Sequence, residues 1–250
     1  MENLIKSAIL SVLRANAVEI RNVPPRITNV EVDKYDITKQ PFLYASGNWG
    51  PGYVSIKNLV GRHFIERKLA MLLAIKIAEK TQEIDFTAGN VTGGVVPAWL
   101  VSEFLSILYE RNVPFCYIRD TRKKGGQKEL LTGNKKNPDI KAGMHGLIVE
   151  ELVNFAQTTC NGAEAARAEG YNVTHACCIL FYENPESIKA LEKAGIEMIY
   201  LFTLKELLDV AREENFFSLD DIDSYLEFLS NPLDWQDKRG LIPVKSGGTK

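Results

Sequence analysis

The run Leu147–Ile148–Val149–Glu150–Glu151 passes directly into Leu152–Val153–Asn154–Phe155–Ala156–Gln157–Thr158–Thr159. Three consecutive aliphatic residues bounded by charge read as a short buried strand. Two acids stand at its C-terminal end, and the polar stretch beyond them opens a helix expected from about Thr158 to Glu169. Strand, loop and helix in that order form the unit of a parallel sheet, and ligands bind beyond the carboxyl ends of such strands. Side chains alternate along a strand, so one carboxylate can face a ligand while the scaffold holds the other. In sugar-diphosphate sites acids so placed grip ribose hydroxyls, directly or through Mg²⁺ and its waters, and elsewhere such a pair is a solvated strand end. The helix start adds N–H groups and the positive end of the helix dipole, with Thr158 and Thr159 as hydroxyl donors for a phosphate. The plainer reading of the same residues is N-capping by Asn154 or Thr158.

Outward from this stretch the alternation repeats. Upstream, Ile84–Ala88 and Phe115–Ile118 read as strands, separated by a helix over Val96–Glu110 and preceded by one over Arg62–Thr81. Downstream, strands at Val173–Phe181 and Met198–Leu201 alternate with helices at Glu186–Ala194 and Leu204–Glu213, and a last helix covers Leu219 to about Leu229. The implied fold is α/β, a central mainly parallel sheet flanked by helices. An amphipathic helix over Asn3–Ala17 leads into an irregular stretch, rich in turn residues, that runs to about Asn58. The organisation expected is an N-terminal segment over 1–60, a core over 61–215 and a C-terminal helix with tail over 216–250, the last residues from Lys245 disordered.

Two further loops fall on the same sheet edge. Ala88–Gly89–Asn90–Val91–Thr92–Gly93–Gly94 places three glycines in six residues, which lets backbone approach a ligand closely; an unliganded turn would look the same. Arg119–Asp120–Thr121–Arg122–Lys123–Lys124–Gly125–Gly126–Gln127–Lys128 is too polar for core and too glycine-rich for a helix. It suits a basic lid closing over a polyphosphate, or a solvated charge run. Two acids, a phosphate cradle, a glycine turn and a basic lid together fit a sugar carrying both a phosphate and a pyrophosphate.

Bulk properties exclude several other classes. The 250 residues carry a formal net charge of −2, so nothing draws the chain towards nucleic acid. No apolar run approaches the ~18 residues of a membrane span, and Met1–Leu13 is amphipathic rather than a signal peptide. The four cysteines, Cys116, Cys160, Cys177 and Cys178, form no CxxC pair and read as buried thiols in a reducing, cytoplasmic setting.

In these loops the chain resembles orotate phosphoribosyltransferases, of the type I phosphoribosyltransferase family. Phe42–Leu43–Tyr44–Ala45–Ser46–Gly47 with Pro51, Tyr53 and Lys57 resembles the family's N-terminal F-x-x-x-S-G-x-x-x-P-x-Y segment. Ala88–Gly93 resembles its A-G-x-x-T-G pyrophosphate loop. Arg119, Lys123 and Leu131–Thr132–Gly133 resemble its catalytic lid, and Val149–Val153 falls on the acidic pair of its phosphoribosyl-pyrophosphate (PRPP) motif. The resemblance implies the type I fold with a small N-terminal hood subdomain, and transfer of ribose 5-phosphate from PRPP to orotate. It implies Lys123, Arg119 and Lys124 as catalytic residues, and Gly89, Thr92, Gly93 and Gly94 as the pyrophosphate loop. Glu150, Glu151, Asn154, Ala156, Gln157, Thr158 and Thr159 would bind PRPP, the two acids also meeting Mg²⁺ indirectly. Ser46, Tyr53 and Lys57 would meet the base. A cytoplasmic homodimer with PRPP and orotate as its small-molecule partners completes the expectation.

The departures have physical content. Both acids are Glu, and Ala156 replaces a glycine of the T-x-G-x-S/T phosphate loop; a left-handed conformation there costs a non-glycine residue ~1 kcal/mol or more. Phe155 and Gln157 add bulk, Asp120 and Gly125 remove positive charge from the lid, and Trp49 stands where a lysine is common. Transfer to a different base, with Trp49 stacking on it, and a non-catalytic relative that kept the fold are the alternatives these changes leave open.

Overall fold

A computed structural model describes residues 1–24, 36–44, 47–119 and 130–242. In chain order the helices and strands begin with α1 (Glu2–Arg14), β1 (Val18–Ile20), β2 (Phe42–Leu43), β3 (Trp49–Gly50), β4 (Gly52–Val54) and α2 (His63–Lys80). There follow β5 (Phe86–Asn90), α3 (Val95–Leu108), β6 (Phe115–Ile118), β7 (Leu131–Thr132), β8 (His145–Val153) and α4 (Gln157–Ala168). The chain ends with β9 (Asn172–Phe181), α5 (Pro185–Ala194), β10 (Glu197–Thr203), α6 (Leu204–Glu213), α7 (Leu219–Ser230) and α8 (Pro232–Asp237).

Contacts divide the chain into two compact units. The first comprises Met1–Ser11 and Ile56–Leu207; the second comprises Val12–Ser55 and Leu208–Lys250. The second unit brings most of the N-terminal segment and the C-terminal helices into one body. Within that body β1 pairs antiparallel with β4, and β2 with β3. Tyr225 of α7, 1% exposed, lies against Gly52 of β4 so closely that a Cβ there would fall 2.2 Å from the ring. The irregular N-terminal stretch therefore holds strands, each only two or three residues long, which no periodic pattern could announce.

The first unit holds the sheet. Among the described residues six strands run in the order β10-β9-β8-β5-β6-β7, parallel throughout except for the antiparallel β6–β7 pair. Strand β8 sits at the centre with Leu147, Ile148 and Val149 all fully buried, since helices cover both faces. On one face Ile148, Ala88, Ala176 and Cys178 join Ala163 and Ala166 of α4 in a single core. On the other, α2 and α3 present Leu69, Leu73, Ile77, Ala98, Val101 and Leu105, each at most 1% exposed. Several strands run further than expected, β10 among them, to Thr203 rather than Leu201. Strand β5 ends at Asn90 rather than Ala88, and β8 continues through the acids to Val153, because β9 supplies ladder partners out to Phe181.

Candidate active site

The acids leave β8 on opposite faces. Glu150 points to the α4 side, is 6% exposed, and accepts a 2.7 Å hydrogen bond from Asn90 Nδ2 and a long 3.4 Å one from Thr159 Oγ1. Glu151 points to the α2–α3 side, where its carboxyl lies directly on Gly93. A Cβ at that glycine would fall 1.9 Å from Oε1 and 2.0 Å from Oε2. Glu151 also lines a largely apolar pocket with Lys57, Leu59, Val96, Leu100 and Ile179. Burial raises its carboxyl above the usual range, while its own backbone hydrogen bond and the Lys57 charge pull the other way.

The glycine loop is held down by backbone. Gly94 N donates to Asn90 O at 2.9 Å, and a Cβ on Gly94 would come within 2.2 Å of Val149 O. Thr92 is exposed, Gly93 half-buried, Gly89 and Gly94 buried, and the Val91–Thr92 peptide is cis. Residues 92–94 thus form a short bridge from β5 to α3, laid against the end of β8.

At the start of α4 the N-cap is Ala156, with φ 59° and ψ 10°, and it offers no side-chain cap. Neither Asn154 nor Thr158 takes the capping place. Asn154 Oδ1 accepts a long 3.4 Å bond from Asn184 Nδ2, and Gln157 Nε2 donates along the helix to Asn161 Oδ1 at 2.8 Å. Thr158 is exposed and its carbonyl accepts from Asn90 Nδ2 at 3.2 Å, whereas Thr159 is 1% exposed. The first-turn N–H groups of α4 therefore meet no cap from the residue that precedes them, the arrangement that favours an anion.

Of the remaining expected site residues, Arg119 donates from Nε to Thr132 Oγ1 at 2.9 Å and from Nη2 to Tyr117 Oη at 3.1 Å, which lays its guanidinium along the β6–β7 edge. Lys57 is exposed beside the Glu151 pocket. Tyr53 belongs to the other unit, 41% exposed, with its ring 5.5 Å from that of Phe42. In the same unit Trp49 commits its indole N–H to Ile242 O at 3.0 Å. Ser46, Lys123 and Lys124 lie outside the described residues, as do Asp120, Gly125 and the tail from Lys245. Asn90, which ties Glu150 to the first turn of α4, is a candidate that its place in the sequence does not single out. Its role depends on partners 60 and 68 positions away.

Among the described residues no group of three His, Cys, Asp or Glu side chains could hold a metal ion. Glu150 and Glu151 diverge, so they do not form a cage. Mg²⁺ commonly binds through one or two carboxylates, waters and substrate phosphates, and Glu151 on the pocket side fits that smaller demand.

No protein-family model matches the chain. An orotate phosphoribosyltransferase of Listeria monocytogenes is 29% identical over 196 residues, 78% of this chain and 88% of that protein. That of Streptococcus thermophilus is 26% identical over 199 residues, covering 80% of this chain and 90% of its own. Among solved structures, orotate phosphoribosyltransferase from Aeropyrum pernix matches with a TM-score of 0.59 at 18% identity, covering 81% of this chain and 97% of that one. UMP synthase of Leishmania donovani matches with a TM-score of 0.69 at 20% identity, over 90% of this chain but only 42% of that protein. In sequence and in fold, then, this chain is a homologue of the orotate phosphoribosyltransferases and carries the type I phosphoribosyltransferase architecture.

Proposed function

We propose that the chain transfers the ribose 5-phosphate of PRPP to orotate, giving orotidine 5′-phosphate and pyrophosphate. The observation that carries this reading is the way the acids are tied to two helix-opening segments. Glu151 lies on Gly93, and Glu150 is joined through Asn90 to the first turn of α4.

Chemically, N1 of orotate gives up its proton to solvent and attacks C1 of PRPP, the C1–O bond to pyrophosphate breaks with its electron pair leaving on the pyrophosphate, and the anomeric carbon inverts. Positive charge grows on the ribose ring and negative charge on the leaving group, so stabilisation and water exclusion are the main tasks. The backbone of residues 92–94 would receive pyrophosphate, with Arg119 and Lys123 or Lys124 neutralising it. The open N–H groups of residues 157–159 and the exposed Thr158 hydroxyl would take the 5′-phosphate. Glu151 would orient the ribose hydroxyls, and Glu150 acts from behind as part of the frame. Ser46, Tyr53 and Lys57 would meet the base. Bound Mg²⁺ would supply charge neutralisation on the pyrophosphate, and Glu151 would help to hold it through the ligand or water. The reading includes a homodimer and a cytoplasmic setting; among the described residues no helix is long and apolar enough to cross a membrane.

The left-handed Ala156 supports catalysis over the non-catalytic alternative. The alanine adopts the backbone conformation that a glycine in that loop would give at low cost. A spectrophotometric assay of orotate with PRPP, with and without Mg²⁺, tests the proposal. Orotate consumption that requires both PRPP and Mg²⁺ is expected; absence of turnover, with millimolar PRPP giving no heat on titration, would return the chain to the non-catalytic reading.

A further inference from the structure

Asn90 ends β5 and is 5% exposed. Nδ2 donates both to Glu150 Oε1 at 2.7 Å and to Thr158 O at 3.2 Å. A carboxylate and a carbonyl can only accept, so both partners require the amide nitrogen on their side. Oδ1 lies against Gly162 of α4, where a Cβ would fall 2.6 Å away. The main chain of the same residue accepts from Gly94 N at 2.9 Å. One buried residue therefore holds the glycine loop with its backbone and the first turn of α4 with its side chain, and bonds the acid that lies between β5 and α4.

We infer that Asn90 is a positioning residue that sets the spacing between the two anion-binding segments, 92–94 and 156–159, and so selects a ligand bearing phosphates at both ends. The inference rests on the proposed PRPP reading and adds to it a determinant of substrate class. A ligand that spans two sites gains from the second only when their separation matches its own; a mismatch forfeits that gain without weakening either site alone. Each half of the site keeps its own donors when the tie is cut. The cost falls on the ligand that must reach both.

The test is titration calorimetry of the full chain, with Mg²⁺ present throughout, against PRPP, pyrophosphate and ribose 5-phosphate. For Asn90→Ala the expected result is PRPP binding weakened about tenfold or more, with each half-ligand within about threefold of wild type. Asn90→Leu, which keeps the volume beside Gly162 while removing the donor, should behave alike and serves if the alanine variant fails to fold. PRPP affinity unchanged in a folded variant, or all three ligands weakened in parallel, overturns the inference alone. A wild-type chain that binds neither PRPP nor either half overturns the functional reading, and the inference with it.

Discussion

Glu151 is held in surroundings that suit its neutral form. Its carboxyl lies on Gly93 beside Val96, Leu100 and Ile179, and burial raises its pKa. A raised acid opposes folding once ionised. The penalty is absent below the unfolded value, grows as pH rises from there towards the folded one, and is complete above it. Glu151→Gln should therefore melt higher than wild type at pH 7, with the difference closing towards pH 4, while turnover falls on the order of 10²-fold. Calorimetry between pH 4 and 8 with a parallel assay decides this; a variant less stable than wild type at pH 7 contradicts it. Lys123 acts through charge alone in the proposed reaction. Lys123→Ala should lower turnover by about 10²–10³ with the melting temperature preserved, and single-turnover kinetics within threefold of wild type would remove it from the mechanism. Identity and spacing made Glu150, Glu151 and the glycines legible as candidate site residues. They could not tell which acid the scaffold takes, since that depends on whether α4 or the α2–α3 pair covers each face of β8.

At the scale of elements, the aliphatic run revealed β8 but not its length. A strand stops where its neighbour stops pairing, and β9 carries the ladder to Val153↔Phe181. Asn90, read as loop, is in the sheet for the same reason, through its pairing with Ile118 of β6. The turn into α4 is the element most exposed to a single change. Ala156 at φ 59° carries a left-handed strain of ~1–2 kcal/mol. Replacement by glycine relieves it but loses a buried methyl worth ~0.8 kcal/mol and frees the unfolded chain by ~0.4–1 kcal/mol. The terms nearly cancel, so Ala156→Gly should alter stability by less than about 1 kcal/mol and leave PRPP affinity within a few-fold. Ala156→Val adds a β-branch in a 3% exposed site and should cost ~2 kcal/mol or more in urea unfolding; equal midpoints for the two variants would count against the argument. Burial of the central strands also sets thiol chemistry. Cys177 and Cys178 of β9 are 0% exposed and Cys116 of β6 is 1% exposed, with the Cys116 thiol pushed up to about 12. The native chain at pH 8 should show a single thiol, Cys160, open to a disulfide reagent, and the other three only on unfolding; a second fast thiol would place one of these strands nearer solvent.

At the scale of the molecule, the second unit joins residues 12–55 to residues 208–250, segments separated in sequence by all six strands of the sheet. Local pattern could not announce it, because strands of two or three residues gain their order only from helices that arrive at the end of the chain. Its core is aromatic. Trp235 is fully buried, its ring edge-on to Phe228 at 5.4 Å, and the Arg239 guanidinium stacks 4.1 Å above it while donating to Val23 O at 3.1 Å. Tyr225 completes the cluster against Gly52, where a Cβ would meet three ring atoms at 2.2–2.6 Å. Tyr225 is 1% exposed, and its ring centroid lies 6.4 Å from that of Phe228. Gly52→Ala must then shift β4 or the ring, at a cost of ~1–3 kcal/mol. Two of the three tryptophans, Trp49 and Trp235, lie in this unit, so tryptophan fluorescence reports mainly on it. The urea midpoint followed by fluorescence should fall for Gly52→Ala. An unchanged midpoint would mean that the meeting of the chain's two ends does not hold this unit together.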